Sequence, residues 1–548
     1  MNMVETASIT LIYLVFITLA AKRIMTYLHV LQQEDYDSKR LNKWIFEHKA
    51  FDKKLSLALA VLSVVWMYVP SFFMAFLAFI CITITIYLEK DPRKSQKKKL
   101  VETDRAKRVF FPTLGVMAVL SAWCFVFEFP YNTVAWPWII AIQLIPFVLI
   151  WVNAALAPFE SVIQKVYWNE ARQKMHDLSP IVIGVTGSFG KTSVKHILGH
   201  ILNTQGPTLV TPGSVNTPMG ITRIVREQLT PDHKYFVVEM GAYGVGSIAS
   251  LCELTPPDFG IVTTIGHAHY ERFKSLETVA RAKFELAEAV MQKETGKVII
   301  HERTLRFSYV RGMKLDQPDR FVVCGDPPAI DRHKQKDINY LEQGDVHIIE
   351  VTQQPKGLDI KFSVDGKTYN LNPPIYGLHH GHNVVMAAVT ALELGVDIGA
   401  IQLALQTVPQ ISHRLEVKPN KEAGYVLIDD SYNSNPLGFR SALDLMVLMQ
   451  SSGRKILITP GMIELGIAHD EAHAQIGEYA GQICDIAVVI KPERIGSFVN
   501  AYKASGKTLI EVQSFKEASE WLEKNRQDGD LVLIENDLPD MYECIPSM

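Results

Sequence analysis

Thr186-Gly187-Ser188-Phe189-Gly190-Lys191-Thr192-Ser193 joins a short β-branched run, IVIGVTG at 181–187, to the helical pattern KTSVKHILGHIL. These residue types in this order suit one task. Glycines let backbone N–H groups wrap phosphate oxygens, the following helix N-terminus adds a favourable dipole, Lys191 neutralises phosphate charge, and a hydroxyl of Thr192 or Ser193 can reach a magnesium ion. Val185 stands where the commoner GxxxxGK[ST] loop has its first glycine, so the pattern is GxxGK[ST]. A glycine-rich turn with an incidental lysine is the bland alternative; the strand before it and the helix after it favour a nucleoside triphosphate site.

Two further residue types fall where such a site needs them. Glu239 ends the apolar run YFVVEMG (235–241), and His269 closely follows FGIVTTIG (259–266). Strand ends are the edge at which doubly wound sheets place ligands, and a carboxylate with an imidazole beside phosphate suits Mg²⁺. Taken singly, each reads as a surface glutamate and a hydrogen-bonded histidine. Lys283, two residues from Glu285 on a helical stretch, reads on its own as an exposed lysine in a helical ion pair.

TGSFGKTS resembles the phosphate loop of the Mur ligases, ATP-dependent amide-forming enzymes of peptidoglycan precursor synthesis, and the resemblance extends over about 370 residues. Ser214-Val215-Asn216-Thr217-Pro218-Met219-Gly220 is similar to the loop after the family's first helix, and Glu239-Met240-Gly241-Ala242 to the segment whose Glu binds Mg²⁺. Gly266-His267-Ala268-His269 resembles G-x-A-H, with Thr264 where asparagine is usual; Ala282-Lys283-Phe284-Glu285 resembles the A-K-x-E whose lysine is carbamylated. Gly377-Leu378-His379 with Asn383 is like G-x-H-x-x-x-N near the adenine, and Arg414 like the arginine that opens the last domain. Asp430-Ser431-Tyr432-Asn433-Ser434-Asn435-Pro436 resembles the D-x-Y-N-x-N-P of the D-alanyl-D-alanine-adding member, a pattern that Met462-Ile463-Glu464-Leu465-Gly466 continues.

The resemblance implies ATP bound by Gly187, Ser188, Gly190, Lys191, Thr192, Ser193, Asn383, Arg414 and Asp430. It implies Mg²⁺ held by Thr192, Glu239, His269 and a carbamylated Lys283, with Lys191, His269, Lys283 and His379 nearest the chemistry. ATP would phosphorylate a carboxylate, and an amine would attack the acyl phosphate. Catalysis of that kind is positioning and charge neutralisation. Two departures stand out. Residues 1–160 replace the family's nucleotide-sugar domain, and Glu535-Asn536-Asp537-Leu538-Pro539-Asp540 replaces a basic segment, so like charge disfavours the same dipeptide carboxylate. Polymer-forming relatives such as poly-γ-glutamate synthetases, or a nucleotide-binding membrane scaffold, are the alternatives.

The elements that must position these residues follow from the rest of the pattern. KVIIH (297–301), YVLIDD (425–430), KILITPG (455–461), IAVVIK (486–491) and LVLIE (531–535) are strand-like and alternate with helical stretches, which predicts parallel α/β sheets. From about 312 to 374 short alternating runs joined by polar turns predict an antiparallel insertion. In front lie five apolar stretches, 7–21, 55–69, 71–88, 109–127 and 134–157, read as about five membrane spans, or four with a re-entrant hairpin around Pro70.

Eight Lys/Arg over 22–54 and nine over 89–108 make both loops cytoplasmic by the positive-inside rule. All that follows Phe159 is then cytoplasmic, beneath a multi-pass cell membrane anchor. RKSQKKK at 93–99 reads as an orientation signal, with a lipid-headgroup site as the other reading.

Composition agrees. The chain has 548 residues, 48% of them hydrophobic, and the net charge of −3 divides into a basic front and an acidic remainder. That excludes a disordered or disulfide-scaffold chain and gives no nucleic-acid footprint. Six scattered cysteines without a CxxC pair fit a reducing compartment. The expected architecture is therefore α/β: membrane helices over 1–160, a P-loop, Mur-ligase-like central domain over 165–410 and a Rossmann-like C-terminal domain over 411–548. Its partners would be small-molecule amine and carboxylate substrates, the latter lipid-linked or presented at the membrane, and no nucleic acid.

Overall fold

The computed structural model describes residues 3–66, 71–89, 91–93, 99–126, 135–266, 273, 275–325, 345–420, 424–432, 434–449, 451–463 and 465–536. These fall into two units, one built mainly from residues up to Gln164 and the other from Lys165 to Asp537.

The first unit is helical: α1 (Met3–Gln33), α2 (Ser38–Glu47), α3 (Lys54–Trp66), α4 (Ser71–Leu88), α5 (Asp104–Val126) and the larger part of α6 (Ala135–Leu178). Phe16, Leu19, Ile24 and Leu31 of α1 pack with Ile142, Ile145 and Leu149 of α6. Arg23 is buried between Asp52, at 2.6 Å, and Glu89, at 3.0 Å, as desolvation requires of a guanidinium removed from water. Lys22 Nζ donates to the Ile86 and Glu89 carbonyls at the end of α4, at 2.6 and 3.1 Å.

Of the five stretches expected to span a membrane, two meet the length and apolarity of a spanning helix among the described residues, Tyr13–Gln33 and Trp138–Leu178. The apolar helices Lys54–Val65 and Phe76–Leu88 are shorter, and α5 opens on Asp104, Arg105, Lys107 and Arg108.

In the second unit β1 (Ile181–Thr186), β2 (Thr208–Val210), β3 (Tyr235–Glu239), β4 (Phe259–Val262), β5 (Lys297–His301) and β6 (Phe321–Cys324) run parallel, and β7 (Val346–Gln354), β8 (Gly357–Val364) and β9 (Lys367–Leu371) continue the sheet as an antiparallel meander. The order is β2-β3-β1-β4-β5-β6-β7-β8-β9. Alternate strand residues enter different cores. Val182, Val238 and Val262 face one core, with α8 (Pro218–Gln228), α9 (Ser247–Leu254) and α10 (Leu276–Met291). Ile183, Val185 and Val237 face the other, with α7 (Lys191–Asn203), α12 (His380–Glu393) and α13 (Ile398–Gln406). Burial on both faces is why these strands read as unbroken apolar runs.

The antiparallel insertion is narrower than the sequence suggested. Residues 308–316 form a helix, α11 (Ser308–Asp316), and Phe321–Cys324 pairs parallel with β5. FVVC is buried throughout, so its period could not mark it off from a short insertion strand.

A second sheet, β10-β11-β15-β12-β13-β14, is built from β10 (Glu416–Asn420), β11 (Tyr425–Asp430), β12 (Lys455–Thr459), β13 (Ile486–Ile490), β14 (Thr508–Val512) and β15 (Leu531–Glu535). It is parallel except for β10 at one side. The helices α14 (Pro436–Leu448), α15 (His469–Ile483) and α16 (Gly496–Lys503) cover one face and α17 (Phe515–Asn525) the other.

Candidate active site

Register places the site. Val185 of β1 pairs with Glu239 of β3, and Thr186 with Val262 of β4, so the phosphate loop leaves the sheet between two strand ends. Gly187 and Gly190 have φ of 148° and 83°, which favour glycine. A Cβ on Gly187 would fall 1.7 Å from Thr263 Oγ1, and one on Gly190 2.4 Å from Asn383 Oδ1. The loop is pinned from behind: Ser188 N donates to the Thr264 carbonyl at 2.6 Å, Gly266 N to Ser188 Oγ at 2.9 Å, and Thr263 Oγ1 to the Phe189 carbonyl at 2.5 Å. A loop so held presents its N–H groups without first having to order.

Lys191 opens α7 and is half-buried. Its Nζ donates to the Gly187 and Ser188 carbonyls at 2.8 and 3.4 Å. Burial, with Arg414 and Lys195 nearby, lowers its ammonium to about 8 despite the pull of Glu239. Next to it, Thr192 Oγ1 donates to Glu239 Oε2 at 3.0 Å. Glu239 is 1% exposed, so it is no surface glutamate. Lys195 Nζ reaches the same Oε2 at 2.9 Å, and Asn216 Nδ2 donates to Oε1 at 3.1 Å. Burial works against this carboxylate, but Lys195 and Lys191 outweigh it and hold it below its usual range.

Lys283 is buried as well, and its Nζ donates to the Gly187 carbonyl at 2.9 Å. The expected ion pair with Glu285 does not form, because residues two apart on a helix point to different sides. Glu285 instead accepts from Gly246 N, Ile248 N and Ala249 N, closing the start of α9. Desolvation, with Lys191 adding like charge, drives Lys283 well below the usual lysine range.

Asn383 lies against Gly190, and its Nδ2 meets His380 Nδ1 at 3.1 Å. His379, one residue earlier, is exposed. Arg414 Nη2 reaches Thr192 Oγ1 at 3.5 Å, and its guanidinium stands 4.5 Å from the Tyr432 ring centre. The neighbours of Arg414, His413 and Leu415, both have left-handed φ, 60° and 51°, a conformation that non-glycine residues adopt only when packing imposes it. Asp430 accepts from Leu415 N at 3.1 Å and pairs in register with Glu535. Glu535 is buried and accepts the Ser434 hydroxyl. Burial pushes Asp430 up to about 6 and Glu535 well above the usual range, since adjacent carboxyls resist double ionisation.

The structure thus gathers Gly187, Ser188, Gly190, Lys191, Thr192, Glu239, Lys283, Asn383 and Arg414 around one loop. Ser193 is buried, its hydroxyl without a hydrogen-bond partner. His269, Asn433 and Glu464 lie outside the described residues. Sequence reasoning missed Lys195 and Thr263. A lysine four residues after Lys191 shares its helix face, which was the available signal for Lys195.

A hard divalent cation fits this donor set. The Glu239 carboxylate and Thr192 hydroxyl are oxygen donors beside a pinned loop of backbone amides and two amines. Fold and site together define an α/β protein with a P-loop at the end of a parallel sheet. Residues 185–391 match the Mur ligase middle domain and residues 413–535 the Mur ligase, glutamate ligase domain. Over these two domains, more than half of its length, the chain belongs to the Mur ligase family.

Among curated relatives, it is 32% identical over 302 residues to the UDP-N-acetylmuramoyl-tripeptide--D-alanyl-D-alanine ligase of Buchnera aphidicola, covering 55% of this chain and 61% of that protein. To the Escherichia coli ligase of the same name it is 30% identical over 305 residues, covering 55% and 62%. The chain thus spans less than two thirds of these relatives' length. A crystal structure of MurF from Acinetobacter baumannii shares the fold at a TM-score of 0.59 and 22% identity, over 69% of this chain and 78% of that one. MurF of Thermotoga maritima, solved in complex with ADP, does so at 0.54 and 22%, over 70% and 81%.

Proposed function

We propose that this protein is a membrane-anchored, ATP-dependent amide ligase of peptidoglycan precursor synthesis. The observation that carries the reading is the pinned phosphate loop with Lys191, Thr192, Glu239 and Lys283 converging on it inside a Mur ligase middle domain. In this reading a carboxylate oxygen of the acceptor attacks the γ-phosphorus of ATP and ADP departs. The amine nitrogen then adds to the acyl carbon, and the tetrahedral intermediate expels phosphate as the nitrogen loses its proton to phosphate or solvent. Lys191 and the loop amides orient the phosphates, and Arg414 brings a second cation to the same side as Thr192. Ser188, Ser193, Asn383 and Asp430 complete the proposed nucleotide site, and exposed His379 is proposed to orient the acceptor. Magnesium at Thr192, Glu239 and His269 would neutralise charge on the transferred phosphoryl group.

Carbamylation of Lys283 belongs to the same proposal. A neutral amine is the form that adds carbon dioxide, and burial beside Lys191 favours the neutral form. The domain division we adopt is 1–160, 165–410 and 411–548. The first part is proposed to anchor the chain in the cell membrane and to keep both ligase domains cytoplasmic, supported by the two long apolar helices and the basic loops. An acceptor presented at that surface, lipid-linked in the simplest case, would replace the nucleotide-sugar grip of the soluble enzymes. Asp537 and Asp540, where the family has a basic segment, support an amine other than free D-alanyl-D-alanine.

The test is phosphate release from Mg-ATP by the detergent-purified full chain, with amino acids, D-alanyl-D-alanine and carboxyl-amidated amino acids that keep a free amine, against soluble and lipid-linked precursors, products read by mass spectrometry. An amide product that requires acceptor, amine and Lys191 is the expected outcome. Phosphate release that ignores every amine would instead support a nucleotide-binding scaffold.

A further inference from the structure

Lys195 is the one lysine of the site that nothing in the proposed chemistry uses. It lies one turn beyond Lys191 on α7, is 2% exposed, and is fixed at both sides: its Nζ donates to the Gly213 carbonyl at 2.5 Å and forms an ion pair with Glu239 Oε2 at 2.9 Å. Thr192 donates to that same oxygen, and Asn216 occupies Oε1. Every oxygen of Glu239 is therefore already committed within the protein. The charge around it has one sign. Lys191 and Lys195 both act on this carboxylate, and Arg414 adds like charge to both lysines.

A free divalent cation approaching Glu239 meets a carboxylate already neutralised at 2.9 Å, with two further cations close by. A cation that arrives with nucleotide phosphates brings its own counter-charge, and those phosphates draw Lys191 and Arg414 toward themselves. We infer that Lys195 is a positioning residue that makes metal occupancy at Glu239 conditional on bound nucleotide, so that metal and nucleotide enter together. The inference rests on the reading of Thr192 and Glu239 as the metal side of the site. It adds to that reading an internal counter-ion that keeps the metal position closed until triphosphate is present.

The experiment is Mn²⁺ binding to the full chain in detergent, followed by electron paramagnetic resonance with and without ADP, alongside thermal midpoints. The wild type is expected to bind Mn²⁺ at least about tenfold more tightly with ADP than without. Lys195→Met and Lys195→Gln, the second of which can still hydrogen-bond Glu239, are each expected to bind Mn²⁺ without nucleotide at least about tenfold more tightly than the wild type. Lys195→Arg keeps the charge and should keep the dependence on nucleotide, and Glu239→Gln added to Lys195→Gln should abolish the gain. Variants that fold with unchanged nucleotide-free affinity, or a wild type that binds Mn²⁺ equally well without ADP, would overturn the inference while leaving the ligase reading standing. A wild type that takes up no Mn²⁺ even with ADP would remove the metal site itself and the inference with it.

Discussion

Lys191 donates to carbonyls of its own loop, and its ammonium is held at about 8 against an ordinary 10.5. Below pH 8 the folded protein carries the cost of that charge. Between about 8 and 10.5 the unfolded chain binds more protons than the folded one, so this residue makes stability rise with pH across that window. Denaturant midpoints of the wild type and Lys191→Met, measured from pH 7 to 10, should show the wild type gaining on the variant above pH 8. A gap that stays constant would mean that burial beside Arg414 and Lys195 does not depress this lysine. At this scale the sequence was most informative where chemistry is local: two glycines, a lysine and a threonine within six positions fix the loop, and Glu239 was legible as the end of an apolar strand. Lys195 was missed although it shares a helix face with Lys191, because a lysine on an amphipathic helix ordinarily marks the solvated face, and its partner comes from a strand 44 residues away. Lys283, named by resemblance, lies against the Gly187 carbonyl of the loop, while its reading from the residues alone as an exposed ion-pairing lysine failed for the same reason.

The helix α9 shows what an element requires of a residue outside it. Its N-cap, Gly246, has no side chain to cap it, and Glu285 of α10 supplies the acceptor for the N–H of Gly246 and for those of Ile248 and Ala249 in the first turn. Glu285→Ala is expected to destabilise the chain by about 1–3 kcal/mol, the cost of orphaned donors that were bound to a charged group. Thermal unfolding should register it as a lower midpoint, and an unchanged midpoint would show that water serves those amides equally well. Element types in the parallel sheets followed from β-branched runs such as KVIIH and YVLIDD, since burial on both faces leaves no other pattern. The strands missed were short or lay at a sheet side. Thr208–Val210 has three residues, and Glu416–Asn420 contains Pro419; neither carries enough period to be told from a loop.

For the whole molecule, the division into a helical front and an α/β body was readable from charge and hydropathy, while the number of long apolar helices was not. Pro70 and the charged start of α5 break the pattern into pieces of uncertain length. If the front is a bilayer anchor, the full chain expressed in bacteria should stay in the membrane pellet after alkaline carbonate washing and leave it only with detergent. Recovery in the carbonate supernatant would remove the anchor from the proposal. The nine-stranded sheet has a further property at its two sides. One ends in the three-residue β2, and the other in β9, where Lys367 stands at the start and Gln402 Nε2 caps the Asn370 carbonyl at 2.9 Å. A rim so short on one side and so occupied on the other offers no template to a stray strand, so crowding many copies together should leave them separate and not stitch their sheets into fibrils.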